Sequence, residues 1–428
     1  MAVRKSRAGK RTRPGSMRRS LLCLLALTGA WSLSVAAAMP AAVAADVRSQ
    51  QWYLEAMQAE KMWQVSTGEG IKVAVIDTGV DPSTPSLQGQ VLPGKDVSDK
   101  AGDENDDYDS HGTTVAELIV GTGKGGGVQG LAPGAKVIPF RTSLTREKKL
   151  TEQSDLYKAI RAAADSDAKV INMSLGGDIT GAHAKEAVEY AASKGKLMFA
   201  ATGNDGDGKN PIEYPAAYPE VVGVGALTKS ASAANFSGHG WHVSLSAPGV
   251  SMPAWCDKSL TEYCPDKYGT SLATALASAS AALIWSEHPD WTANQVLRVM
   301  LETAAKPKDG KVPSTKVGYG GVRPRLNLLE GKGDPGDPDK SPLPMVGAGE
   351  EQGKPSASPG GGDGDAADDG AAGKDDAAAD TGAEDKENVA DSSSAEGDGN
   401  TLWIVIGAGV AVAAAAGGAV AVARSRSR

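Results

Sequence analysis

Residues 71–76 read Ile-Lys-Val-Ala-Val-Ile and stop on Asp77. A run this apolar on both of its alternations has almost no polar face to offer water. It belongs inside a sheet that is covered on both sides. Further short β-rich runs fall at 136–141, 169–173, 197–201 and 220–226, and helical patterns at 111–120, 154–165 and 182–194 lie between them. Strands alternating with helices predict an α/β fold, a parallel sheet with helices on both faces. Two more helices are expected at 272–285, rich in Ala and Ser, and at 293–302, after a turn marked by Pro289. Ligands in such folds bind beyond the carboxyl ends of the strands. Asp77, Ser174 and Asn204 all sit at such ends.

Three motifs place chemistry there: Asp77-Thr78-Gly79, His111-Gly112-Thr113 and Gly269-Thr270-Ser271-Leu272-Ala273. A serine hydroxyl is a weak nucleophile unless a base takes its proton, and the base needs a carboxylate to fix its tautomer. Ser271 would be the nucleophile, His111 the base and Asp77 the orienting acid. Ser271 opens the helix expected from 272, where the positive end of the helix dipole favours developing negative charge. Taken singly, Asp77 and Ser271 could be helix caps and His111 a surface residue. Together, and in small-residue settings, they predict a triad.

The chain order Asp…His…Ser differs from that of the chymotrypsins and the α/β-hydrolases. With its flanking motifs it resembles the subtilisin family of serine peptidases, over about residues 50–330. The resemblance implies a subtilisin-like parallel sheet and an endopeptidase activity. It implies that Asn204, in Ala201-Thr202-Gly203-Asn204-Asp205, supplies an oxyanion donor beside the Ser271 backbone N–H. It implies that Ser174, Leu175 and Gly176 line the substrate strand and the S1 region. Tyr214-Pro215-Ala216 and Asn235-Phe236-Ser237 match further family landmarks, and both could be simple turns.

The remaining sequence is organised around export. The chain has 428 residues and a formal net charge of −8. Eight Lys and Arg in the first 20 residues precede an apolar stretch at 21–38 and small residues at 42–44, a secretory signal peptide over 1–45. Arg18-Arg19 leaves a twin-arginine route open. Residues 331–401 hold 18 acidic and 5 basic residues and no aromatic. Such a segment cannot bury enough apolar surface to offset its ordering entropy, so a disordered acidic linker is expected. As a random coil it would reach ~45–50 Å. Residues 402–423 carry no charge and are followed by Arg424, Arg426 and Arg428. At ~1.5 Å per residue they would span a bilayer core of ~30 Å, leaving 424–428 as a cytoplasmic tail and the 46–330 peptidase domain outside the cell membrane. Set aside leader, tail and linker, and the core is mildly acidic, with no sign of a nucleic-acid partner.

In an exported region Cys256 and Cys264 are expected to form a disulfide; two free thiols are the alternative. Two cysteines without a neighbouring His are too few for a metal site. The acidic run Asp99, Asp103, Glu104, Asp106, Asp107 and Asp109 reads either as a Ca²⁺ loop or as a solvated loop, and its spacing fits no EF-hand. The expectation is no cofactor and no metal.

Signal peptide, peptidase domain, linker, C-terminal helix and basic tail together resemble the mycosins, membrane-anchored subtilisins of type VII secretion. Gln51-Trp52-Tyr53-Leu54 and Met62-Trp63 resemble their short N-terminal extension. The resemblance implies a protein or peptide substrate and a secretion complex as partner. Only about 25 residues separate the expected cleavage site from Ile71, too few for an inhibitory prodomain. The competing functions are a scaffold within a secretion machine, in which catalysis is secondary, and a general cell-surface protease.

Overall fold

The computed structural model describes Ala2 and residues 47–143, 155–177 and 181–343. The expected signal peptide, the membrane span at 402–423, the basic tail and the acidic linker beyond Leu343 lie outside the described residues. Among the described residues no helix is long and apolar enough to cross a membrane.

Seven parallel strands form the central sheet: β1 (Lys72–Asp77), β2 (Lys95–Asp96), β3 (Lys136–Arg141), β4 (Val170–Met173), β5 (Leu197–Ala201), β6 (Val221–Leu227) and β7 (Leu245–Pro248). Their order is β2-β3-β1-β4-β5-β6-β7. Pairing registers Asp77 beside Arg141 on one side, and Ile76 beside Met173 on the other. The chain first builds leftward from β1, then crosses to build rightward, so the order reverses next to β1. That reversal opens a crevice at the carboxyl end of β1, where Asp77 stands.

Strand residues alternate between two cores, as a period of two requires. Val73, Val75, Phe199 and Val224 face one core, shared with α4 (His111–Val120) and α7 (Thr270–Glu287). Ala74, Ile76, Ile171 and Met198 face the other, shared with α5 (Leu156–Asp165) and α6 (Ala182–Ser193). Helix α7 is buried nearly end to end, with Ala, Ser and Thr on all sides. A helix apolar all round can only run through an interior, and its small side chains let it lie close against the sheet. Helix α8 (Ala293–Thr303) begins with a capping box, Thr292 accepting from Gln295 N while Gln295 accepts from Thr292 N.

Among the described residues three short helices precede the sheet: α1 (Val47–Gln50), α2 (Trp52–Ala56) and α3 (Ala59–Met62). They close the Val73 side of the core, burying Tyr53, Leu54 and Met62. Gln51 anchors them by a backbone-like pair with Gln129, donating to its O at 2.7 Å and accepting from its N at 2.9 Å. A short antiparallel hairpin, β8 (Met252–Trp255) and β9 (Tyr263–Lys267), follows β7. The Cys256–Cys264 disulfide, Cα–Cα 5.0 Å, closes its loop.

The expected linker begins differently from the reading of its composition. After α9 (Pro324–Glu330) the chain runs along α8 as a strap through Leu343, which is buried in the core. Arg298 donates to Pro335 O and Lys340 O, and Asn294 to Pro338 O at 2.9 Å. Composition counts apolar side chains. Here the strap is held by its own backbone carbonyls, which any Pro- or Gly-rich segment carries.

Candidate active site

Asp77 ends β1 and is buried. Its Oδ1 accepts from Thr78 N at 2.8 Å and lies 2.7 Å from His111 Nδ1. A carboxylate only accepts, so in the neutral imidazole this contact places the hydrogen on Nδ1 and the lone pair on Nε2. Burial pulls the His111 pKa down, but the Asp77 charge, its hydrogen bond, and Asp109 and Asp107 nearby outweigh that and raise it to about 9.

His111 is the first residue of α4, and Asp107 holds that helix start in place. Asp107 Oδ2 accepts from Thr113 N and Oγ1, and Oδ1 from Ser110 N and from Thr78 Oγ1 at 2.7 Å. Thr78 Oγ1 in turn accepts from Gly112 N at 3.0 Å. One member of the acidic run is therefore a helix cap that ties the Asp77 and His111 motifs together. Glycine is required at 112, since a Cβ there would stand 2.1 Å from Gly79 O. Other members of the run brace their own loop: Asp103 accepts from Asn105 N and Glu104 from Gly94 N. Among the described residues no group of three or more His, Cys, Asp or Glu is arranged to hold a metal ion.

Ser271 is the second residue of α7, which starts at Thr270, two residues before the start the sequence pattern suggests. Its hydroxyl donates to Ser174 O at 2.9 Å, while Ser174 Oγ donates to Ser271 O at 2.8 Å. Behind them Asn172 donates to Ser174 Oγ and accepts from Ser278 Oγ, so a buried polar chain fixes the end of β4 to α7. Asn204 Oδ1 accepts from Thr270 N at 2.8 Å and from Thr270 Oγ1 at 3.0 Å. Asn204 borders the cleft, its oxygen is so occupied, and among the described residues its Nδ2 donates to nothing. The Asn204 loop is itself braced: Gly238 N donates to Gly203 O, and Gly206 N to Phe236 O. The Asn235–Ser237 landmark is thus a support for that loop. Tyr214 pairs by its backbone with Gly177 beyond the Ser174–Gly176 segment.

His111, Ser174, Leu175, Gly176, Asn204 and Ser271 border one cleft of about 710 Å³, with Asp77 buried behind His111. Its opposite wall is the hairpin, through Trp255, Cys256 and Lys267, with exposed Tyr268 at its base. The sequence reading missed this wall. Its one signal was the cysteine pair, which marks a stapled loop without saying that the loop faces the cleft.

The subtilase family model matches residues 68–320. In sequence the chain is similar to the major intracellular serine protease of Bacillus subtilis (strain 168), 35% identical over 252 residues, 56% of this chain and 76% of that protein. It is similar also to subtilisin E of the same organism, 37% identical over 242 residues, and spans 61% of that protein's length. In structure it resembles MycP1 from Mycobacterium smegmatis, TM-score 0.58 and 26% identity, over 69% of this chain and 88% of that one. It resembles likewise the MycP3 protease from the type VII (ESX-3) secretion system, TM-score 0.56 and 30% identity, over 65% and 88%.

Proposed function

The chain belongs to the subtilase family and is a subtilisin-like serine protease, and on that premise we propose that Asp77, His111 and Ser271 are its catalytic triad. The observation that carries the assignment is convergence. An Asp–His pair 34 residues apart in sequence, and an Asn–Thr pair 66 apart, meet around one serine at one cleft.

Rotation about its Cα–Cβ bond turns the Ser271 hydroxyl from Ser174 O toward His111 Nε2. The oxygen then attacks the scissile carbonyl carbon as Nε2 takes the proton. Asp77 stabilises the imidazolium and holds its orientation. Negative charge gathers on the carbonyl oxygen, facing Asn204 Nδ2 and the Ser271 N–H at the start of α7, donors that are aimed before the charge appears. The tetrahedral adduct collapses as His111 returns its proton to the leaving amine, and water then releases the acyl group by the same steps. Ser174, Leu175 and Gly176 pair with the substrate backbone as an added strand. Every step uses side-chain and backbone groups of this chain and invokes no metal or cofactor.

The protease domain would work outside the cell, held to the membrane by residues 402–423 and tied to type VII secretion. The uncharged 402–423 segment with its three following arginines supports the anchoring, and the likeness to MycP1 and MycP3 supports the secretion link. The test is fluorophosphonate labelling of the full chain in membranes, beside Ser271→Ala. Labelling that depends on Ser271 is the expected result; a folded protein that takes no probe would overturn the triad. Recovery of the chain in the carbonate-washed soluble fraction would overturn the anchor.

A further inference from the structure

Two glycines frame the slot on the Asn204 side of the cleft: Gly176, beyond β4, and Gly203, beside Asn204. A carboxylate stands between them. A Cβ on Gly176 would lie 2.1 Å from Glu213 Oε2, and a Cβ on Gly203 would lie 2.5 Å from Glu213 Oε1. The two carboxylate oxygens thus rest against the two facing backbones, in space that any larger residue at 176 or 203 would fill. The placement follows from the chain. Tyr214 pairs with Gly177, its N donating to Gly177 O at 2.9 Å and its O accepting at 3.1 Å, so the preceding residue comes up beside Gly176.

Among the described residues the Glu213 carboxylate has neither an ion-pair partner nor a hydrogen-bond donor. It is half-buried. Burial first, and then the like charge of Asp205, hold its carboxyl above the usual carboxylate range. A charge in this position is costly to the protein on its own, and an arriving cation would relieve it.

The location bears on substrate choice, given the protease reading above. When Ser271 attacks a carbonyl whose oxygen faces Asn204 Nδ2, the side chain of that substrate residue departs on the side of Ser174–Gly176 and Gly203. We infer that Glu213 is the specificity determinant of this slot, selecting a lysine or arginine on the acyl side of the scissile bond and rejecting large apolar side chains. A long basic side chain lays its methylene stem along Leu175 and brings its head to the carboxylate in charge-assisted hydrogen bonds. An apolar side chain of equal length strips the remaining water from the carboxylate and returns no donor.

The experiment uses the full chain in detergent, with active sites counted by fluorophosphonate titration. Peptides differ only at the acyl-side residue: lysine, arginine, norleucine, alanine or phenylalanine. Norleucine matches the lysine stem without its charge. Lysine is expected to exceed norleucine in kcat/KM by about ten- to a hundredfold. In Glu213→Gln, which keeps the volume and loses the charge, that ratio should fall to near one. Equal rates on lysine and norleucine in the native chain would overturn the inference, as would a ratio that survives Glu213→Gln. Preference for alanine alone, with phenylalanine admitted by Glu213→Gly, would make Glu213 a steric plug and overturn it too. A chain that takes no fluorophosphonate overturns the protease reading itself, and the inference with it.

Discussion

Glu117 offers a quantitative test of how the site is supported. It lies on α4, the helix that begins with His111, and its side chain is wholly buried. Oε1 accepts from Thr84 Oγ1 at 2.9 Å, and Oε2 from the Tyr263 hydroxyl of β9 at 2.8 Å. Burial outweighs these hydrogen bonds and pushes the carboxyl from 4.5 up to about 8. Since the folded value lies above the unfolded one, the native state holds a proton that the unfolded state releases between pH 4.5 and 8. Stability therefore falls as pH rises through that window. One pKa unit is worth ~1.4 kcal/mol, so the whole window is worth ~5 kcal/mol and some ~3 kcal/mol is already lost at pH 7. Glu117→Gln cannot ionise and mimics the protonated form. Urea midpoints measured at pH 5, 6, 7 and 8 should show the native chain losing stability relative to the variant, with the gap widening by ~2–4 kcal/mol across the series. Curves that stay parallel would refute the reasoning, for they would mean that Glu117 titrates at the same pH folded and unfolded. The outcome bears on the cleft, because Tyr263 carries the hairpin that forms its far wall.

Removing the oxyanion donor by Asn204→Ala should lower kcat by ~10²–10³ while KM holds, and an equal loss shared into KM would assign Asn204 to ground-state binding. His111 must be neutral to accept the Ser271 proton, and its pKa is raised to about 9. The acid limb of kcat/KM should accordingly lie well above the ordinary imidazole value of ~6.5, and a limb at or below that value would contradict the Asp77 pairing. Ending the chain at Glu330 removes the strap on α8 and the buried Leu343. The loss should be ~2 kcal/mol or more in urea unfolding, with kcat/KM unchanged because the strap does not border the cleft. An unchanged midpoint would show that the domain ends where its composition changes.

The sheet was largely legible because parallel strands are buried on both faces and their apolar runs announce themselves. Strands β1, β3, β4, β5 and β6 fall within a residue of the expected runs. The missed strands lack that signal: β2 is two residues long, and β7 reads Leu-Ser-Ala-Pro. The hairpin escaped because Tyr263–Lys267 contains Pro265 and charged residues, and it is fixed by a disulfide and by Glu117 more than by pattern. The site's acid, base and hydroxyl could be read from their motifs. Their supports could not. Asp107 looked like one acid among six until the fold turned its two oxygens onto Thr78 and Thr113. Glu213 carries no motif, since its position opposite Gly176 and Gly203 arises only when residues 174–177 and 213–214 pair.

Helix α7 gives the protease a particular kind of fragility. Ser271 sits near the start of a rod whose length is threaded through the interior, and it is tied there to β4 by Ser174 and to the Asn204 loop through Thr270. A change that would shift the serine must disturb the buried alanines and serines of that rod or its ties to β4 and the Asn204 loop. Adaptation toward new substrates is thereby pushed outward, onto the hairpin and the slot, while the nucleophile stays locked in place. Heating should leave no folded but inactive species: activity and the native fold are expected to be lost in one transition, since the site has no melting of its own.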